Sequence, residues 1–285
     1  MENYDSLFEN QPKHAEEKPA QQYDREAWIE QKRTQRQALY DTIDEMADKT
    51  LSDPSALSDY LNTQARLGKT SVANALLVTA QKPDATQLMS YDDWQQKGRS
   101  VKKGEKAIEV LEANGEYERP DGTMGINFDV KRVFDVSQTY GKPIRERSAP
   151  PIKNALKAIM TDSPVPIRLS DDVSQGVGAL YSSKENAIEV ARNLDGNDLF
   201  FAVSRELARA EQGNDTFLCD CAANIACLRY GVPAKHCDRI PDELASMEAR
   251  EKRGALGMVR EAACSITERV DRNLFVQRQK NQPER

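Results

Sequence analysis

Histidine is almost missing from this chain. Only two occur, His14 and His236, among 285 residues. A Ser/His or Cys/His nucleophile system, or a histidine-based metal site, has little to be built from. The five cysteines, Cys219, Cys221, Cys227, Cys237 and Cys264, contain no CxxC pair, and their odd number fits reduced thiols better than a disulfide framework. Cys219 and Cys221 stand two apart on a predicted helix and so face different ways, which favours buried or half-buried thiols over a rebuilt zinc site. No run of about 18 apolar residues occurs, so no membrane span is expected. The first residues lack a basic start followed by an apolar block, so no secretory signal is read there and a cytoplasmic location is expected. Positive charge is not in excess either. A net charge of −6 does not advertise nucleic-acid binding, although a local basic patch can act within an acidic whole.

What is present divides into segments. Residues 1–26 are polar and aperiodic, and are expected to form a mobile tail that includes His14. A helical pattern runs from about Trp28 to Lys49. In "LSDPSALSDYLNTQARLG", Ser52 or Asp53 can cap a helix and Pro54 suits its first position. Leu57, Tyr60, Leu61 and Ala65 share a face, and Gly68 ends it. "SVANALLVTAQKP" predicts a short apolar helix stopped by Pro83. Strand-like text follows in "KAIEVLEA" and "GINFDVKRVFDVSQT", with a hairpin turn at Asp121-Gly122. "ERSAPP", residues 146–151, reads as a linker. Beyond it come a short helix, a strand in "VPIRLSD", a hairpin in "GALYSSKENAIEVAR", and helices over 197–212 and 216–230. From about Pro241, Leu244, Met247, Leu256, Val259 and Ile266 recur at helical spacing. They predict one or two amphipathic helices that pack on the domain or on a partner.

Three blocks in register carry a resemblance: "SVANALLVTAQKP", "W-x3-GRxVKKGEK" (Trp94 to Lys106) and "VFDVSQT" at 133–139. Over roughly 50–145 the chain resembles the N-terminal domain of ArdC-type antirestriction proteins, a single-stranded-DNA-binding module of plasmids and other mobile elements. The residues make chemical sense beside that likeness. Arg99, Lys102, Lys103 and Lys106 crowd cations between glycines, and cations hold the phosphates of a single strand. Tyr91 and Trp94 lie just upstream as stacking faces, with a core anchor as the competing role for Trp94. Asn74 and Gln138 are polar residues in apolar segments, read as orienting loops by hydrogen bonds.

The second half resembles, in pattern more than in letters, the zinc-peptidase domain that follows this module in the same family. There a helix carries HExxH; here "SRELARAEQG" puts Arg205 and Arg209 around Glu206, and Asp220 falls at the position of the third ligand. Residues four apart on a helix share a face, which is why two imidazoles can hold one zinc. Guanidinium groups keep that geometry but stay protonated and offer no lone pair. Arg205, Glu206, Arg209 and Asp220 are therefore read as vestigial. No catalytic group, metal or cofactor is assigned. Either Arg205 or Arg209 is expected to pair with Asp220, with Glu206 as a second partner, or both bend to solvent and pair with surface acids such as Glu211.

The expected fold is α+β with two domains and a helical tail: a helical and β-hairpin DNA-binding domain over 27–145, and a zincin-like helix–sheet–helix domain over 152–240, followed by the tail over 241–285. The expected partner is single-stranded DNA, with a protein partner at the second domain and no membrane. The expected role is that of a mobile-element accessory protein with a silent peptidase-like half, serving antirestriction or DNA protection during transfer. Two alternatives stay open: an active metal-dependent peptidase with a non-standard site, and a protein-interaction scaffold without a DNA role. In either peptidase-like reading the strand near "NAIEVAR" is expected to be the edge that aligns a peptide.

Overall fold

Sequence punctuation sets the helices. The computed structural model describes residues 25–144, 148–213, 215–235 and 237–280. Helix α1, Arg25–Thr50, buries Leu39, Ile43 and Ala47 along one stripe. It already includes Arg25 and Glu26, so the helix starts earlier than the sequence suggests; the rest of the expected tail, with His14, lies outside the described residues. Helix α2, Pro54–Leu67, is capped by Asp53, whose side chain accepts from the Ser55 N–H, and ends where Gly68 takes a φ of 64°. Helix α3, Val72–Gln81, is capped by Ser71.

Strand β1, Leu88–Met89, helix α4, Tyr91–Gln96, and strand β2, Arg99–Val101, lead into a long hairpin of β3, Ile108–Glu118, and β4, Met124–Asp135. β1, β4 and β3 form one antiparallel sheet, and β2 pairs with β5, Thr139–Gly141, as a separate two-stranded ribbon. Between β4 and β5 a 3₁₀ turn, Val136–Gln138, is held by a capping box in which the Asp135 carboxylate and the Gln138 amide each accept a backbone N–H.

The second half runs α5, Ile152–Met160, β6, Ile167–Ser170, β7, Ala179–Ser182, β8, Ala187–Ala191, α6, Gly196–Gln212, α7, Thr216–Arg229, α8, Asp242–Ala245, and α9, Ala249–Lys280. Its sheet order is β6-β8-β7, with β6 parallel to β8 and β7 antiparallel to it. This corrects the expectation for "NAIEVAR": β8 is the middle strand and β7 is an edge. "AIEVA" has four of five residues buried, the pattern of a strand covered on both faces.

The architecture is mixed α+β, and one apolar core joins α1, α2 and α3 to α5, α6, α7 and α9. That core spans the expected linker, of which residues 146–147 lie outside the described residues. The segment expected as a tail is central. Leu256, Val259, Ile266 and Val270 of α9 are each 0–1% exposed. Polar ties accompany the packing. The ammonium of Lys252, itself buried, bonds Asp48 and Ser52 at the end of α1, while Arg260 donates to the carbonyls of Lys69 and Thr70 before α3. Among the described residues no helix is long and apolar enough to cross a membrane.

Candidate nucleic-acid interface and a clamped glutamate

In the N-terminal half the β2–β5 ribbon brings the basic block to the surface. Gly98 and Gly141 permit it. A Cβ on Gly141, whose φ is 135°, would stand 2.5 Å from the Gly98 carbonyl, and one on Gly98 would stand 2.9 Å from the Lys142 side chain. Lys142 therefore lies across the ribbon beside the cations read from the sequence. Lys102, Lys103 and Lys106 are all exposed. Lys102 donates one of its three protons to the Ser137 carbonyl at 2.7 Å, which steadies it without spending its charge.

Arg99 is more committed. Its guanidinium donates to Thr139 Oγ1 at 2.8 Å, to the Lys142 carbonyl at 2.5 Å and to the Thr139 carbonyl at 3.0 Å, and it stands 6.0 Å from the Trp94 ring centroid. Trp94 does not fit its expected stacking role. It is fully buried, and its indole N–H donates to the Phe134 carbonyl at 2.8 Å, so it anchors α4 to β4. Tyr91 keeps an exposed ring, 48% accessible. Sequence reasoning missed Tyr140, which is 61% exposed and sits directly opposite Ser100 on the ribbon. The sequence signal was an aromatic residue two positions before a lysine, in "QTYGK". Two exposed aromatic rings thus occur in this part of the chain, Tyr91 on α4 and Tyr140 on β5.

Of the two polar residues in apolar segments, Gln138 orients a loop, whereas Asn74 holds a strand. Asn74 on α3 donates to the Leu111 carbonyl and accepts from the Leu111 N–H, both at 2.8 Å. Gln138 accepts from the Asp135 N–H at 2.8 Å and donates to the Lys106 carbonyl at 2.7 Å, which fixes the loop that carries the lysines.

In the second half α6 carries Arg205, Glu206 and Arg209. Glu206 is 1% exposed and both of its oxygens are engaged. Oε1 accepts from Arg205 Nε at 2.7 Å; Oε2 accepts from Arg209 Nε at 3.0 Å and from the Tyr181 N–H at 2.9 Å. Arg205 also donates to the carbonyls of Val177 and Ala179 at 2.9 and 3.0 Å. The expected arginine pairing with Asp220 is corrected here: Arg205 and Arg209 both form their ion pair with Glu206. Arg205 adjoins it and Arg209 is one turn on, so each reaches it within its own helix. Asp220 Oδ1 is shielded and has no hydrogen-bond partner among the described residues. Burial raises the Asp220 pKa, Arg205 and Arg209 pull it down, and Glu206 raises it further.

These residues do not fit a zinc ion. Two guanidiniums flank Glu206 and offer no lone pair, and that carboxylate has no oxygen to spare. The cysteines do not replace them. Cys219 turns its thiol to the Gly213 carbonyl at 3.6 Å, whereas Cys221 bonds Cys237, which also accepts from Asn224 Nδ2 at 3.4 Å. Burial pushes the thiols of Cys219 and Cys227 up to about 11 and about 12. His236 lies outside the described residues. Among those described, no group of three or more His, Cys, Asp or Glu stands ready for a metal.

Comparisons with known proteins bear on both halves. Residues 34–146 match the family model for the N-terminal domain of anti-restriction factor ArdC. No curated protein matches the chain. The metal-free crystal structure of the antirestriction ArdC protein from the R388 plasmid is similar with a TM-score of 0.53 at 14% identity, covering 85% of this chain and 100% of that one. A Mn(II)-bound crystal structure of that protein gives a TM-score of 0.46 at 16% identity, over 70% of this chain and 87% of that one. At such identity the likeness is one of fold. What the family model matches is the segment 34–146, and there this chain is similar to the N-terminal domain of ArdC.

Proposed function

We propose that this protein binds single-stranded DNA along the β2–β5 ribbon and serves a plasmid or other mobile element in antirestriction, in the cytoplasm, with a zincin-like second half that is catalytically silent. The observation that carries the reading is the ribbon with its flanking loops and helix: Lys102, Lys103, Lys106 and Lys142 are exposed, as are the rings of Tyr140 on β5 and Tyr91 on α4. Single strands are held in this way, by cations on phosphates and aromatic faces under bases, with little demand for sequence. The match of residues 34–146 to the model of the ArdC N-terminal domain supports an antirestriction role.

The silence of the second half follows from the clamp on Glu206. In a zincin-like arrangement an extended peptide would pair with an edge strand. The outer edge of β7 is already used, because Arg205 caps its Val177 and Ala179 carbonyls and Glu206 takes the Tyr181 N–H. Glu206 is likewise unable to serve as a general base while two guanidiniums and an amide hold it.

The test is a titration of labelled single-stranded and duplex oligonucleotides at several salt concentrations. Tighter binding of the single strand is expected. Changing Lys102 and Lys103 together to Ala should weaken it and reduce the slope of log K against log salt by about 1.4, two single-strand phosphate contacts' worth. A double variant that binds like the wild type at every salt concentration rules the ribbon out. Metal-dependent peptide cleavage abolished by Glu206→Gln would overturn the silent second half.

A further inference from the structure

A cavity of about 690 Å³ opens between the ribbon and the end of α7, within the usual size of a small-molecule site. Its walls come from both halves of the chain: Arg66 at the end of α2, Gln87 before β1, Arg99 on β2, Val136 after β4, and Leu228 and Arg229 at the end of α7. Three arginines line one space, and among the described residues no carboxylate lines it. Arg66 and Arg99 have no ion-pair partner among the described residues. Arg229 pairs with Asp271 at 3.0 Å through Nη2.

Two polar atoms in this wall lack the partners that shielded groups normally have. Arg229 Nε, a donor, and Gln87 Oε1, an acceptor, are both cut off from solvent and make no hydrogen bond among the described residues. Arg66 spends Nε and Nη2 on the Ala85 and Pro83 carbonyls and on Thr63. Val136 and Leu228 supply apolar surface between these groups. A cationic wall with an unmet donor, an unmet acceptor opposite apolar sides, and room for far more than one inorganic ion fits a molecule with an anionic end and a flat polar-edged body.

We propose that this cavity binds a phosphate-bearing nucleotide unit, its phosphate drawn by Arg66, Arg99 and Arg229 and an N–H of its base edge received by Gln87. The choice of a nucleotide rests on the proposed nucleic-acid role; the cationic, apolar-walled cavity does not depend on it. Arg99 belongs to both the ribbon and the cavity, so a strand lying across Tyr140 and Lys102 can deliver one nucleotide into it.

The experiment titrates the full chain, by calorimetry and amide NMR, with deoxythymidine monophosphate, thymidine and inorganic phosphate. The monophosphate should saturate a single site and shift amides around Gln87 and Arg99. Thymidine should bind about tenfold or more weakly, lacking the charge. Gln87→Leu should weaken the monophosphate by about tenfold with unchanged thermal stability, and Val136→Trp, which fills the space, should abolish binding. The Lys102/Lys103 double variant should retain it. Gln87→Leu should also weaken a 5′-phosphorylated oligonucleotide if the occupant comes from a strand; an effect on the monophosphate alone identifies a free nucleotide as the occupant. No saturable monophosphate binding, or equal binding by Gln87→Leu and Val136→Trp, overturns the site. Failure of oligonucleotides to bind while the monophosphate does would instead sink the proposed function and leave the cavity standing.

Discussion

Glu206 shows what burial does to an ion pair. Arg205 and Arg209 are only 18% and 16% exposed, so removing the carboxylate between them strands two guanidiniums with little water to take its place. Glu206→Ala should therefore cost about 3–5 kcal/mol in urea unfolding, far more than an exposed pair's roughly 0.2–1 kcal/mol. Glu206→Gln, which still accepts from the Tyr181 N–H, should fall between. A working catalytic acid or base behaves oppositely, since its removal usually leaves stability unchanged or raised; near-neutral unfolding of Glu206→Ala would mean that the clamp contributes nothing. Asp220 gives the companion prediction. Its folded pKa is raised, chiefly by burial, so its favourable contribution is complete below the unfolded carboxylate range and is lost as pH climbs through the folded value. Asp220→Asn should match the wild type in acid and melt higher near neutral pH; parallel melting curves across that span would refute it. That Arg205 and Arg209 cannot ligate a metal was legible in the sequence, because arginine has no lone pair wherever it points. The sequence did not reveal where the arginines point. Nor did it decide Trp94, since an aromatic ring beside lysines reads as a stacking face until its N–H is found on the Phe134 carbonyl.

Helices and turns were readable because their signals are local: Asp53 and Pro54 open α2, Gly68 closes it, and Asp121-Gly122 turns the hairpin. The rank of strands within a sheet is not local. β8 reaches the middle by pairing in parallel with β6, twenty residues upstream, and nothing in the hairpin text announces that partner. A second non-local device explains why α3 is not wholly apolar. Asn74 and Gln81, two turns apart on one helix face, each grip one residue of β3 through both its backbone groups: Leu111 for Asn74, and Glu109 for Gln81 at 2.9 Å in both directions. Two side-chain amides thus stand in for a neighbouring strand and cover the free edge of β3. Replacing both by Ala should cost about 2–4 kcal/mol, roughly 1 kcal/mol for each of the four bonds lost. Amide exchange should speed up at Leu111 and Glu109 while the amides of α2 stay protected. Unchanged protection at those two residues would show that β4 alone holds the strand.

At the scale of the molecule, the boundary suggested by "ERSAPP" marks a change of text without a break in the core. Helix α9 explains this. Its apolar stripe enters the same cluster as α1 and α3 on one side and α5, α6 and α7 on the other. Arg253 reaches Asp44 of α1 at 3.2 Å, and Asn273 donates to the carbonyls of Ala158 and Thr161 beyond α5. Leu256, Val259, Ile266 and Val270 are nearly or fully buried, and each such side chain is worth about 1.5–3 kcal/mol. Their combined loss rivals the whole stability of an ordinary domain, about 5–15 kcal/mol. A chain ending at Glu248 should therefore lose native packing in both halves, with collapsed amide dispersion throughout its NMR spectrum. The intact chain should melt in one transition whose calorimetric and van't Hoff enthalpies agree. Two resolved transitions, or a dispersed set of signals from residues 34–144 surviving the truncation, would show instead that the N-terminal part folds by itself and that α9 merely docks on it.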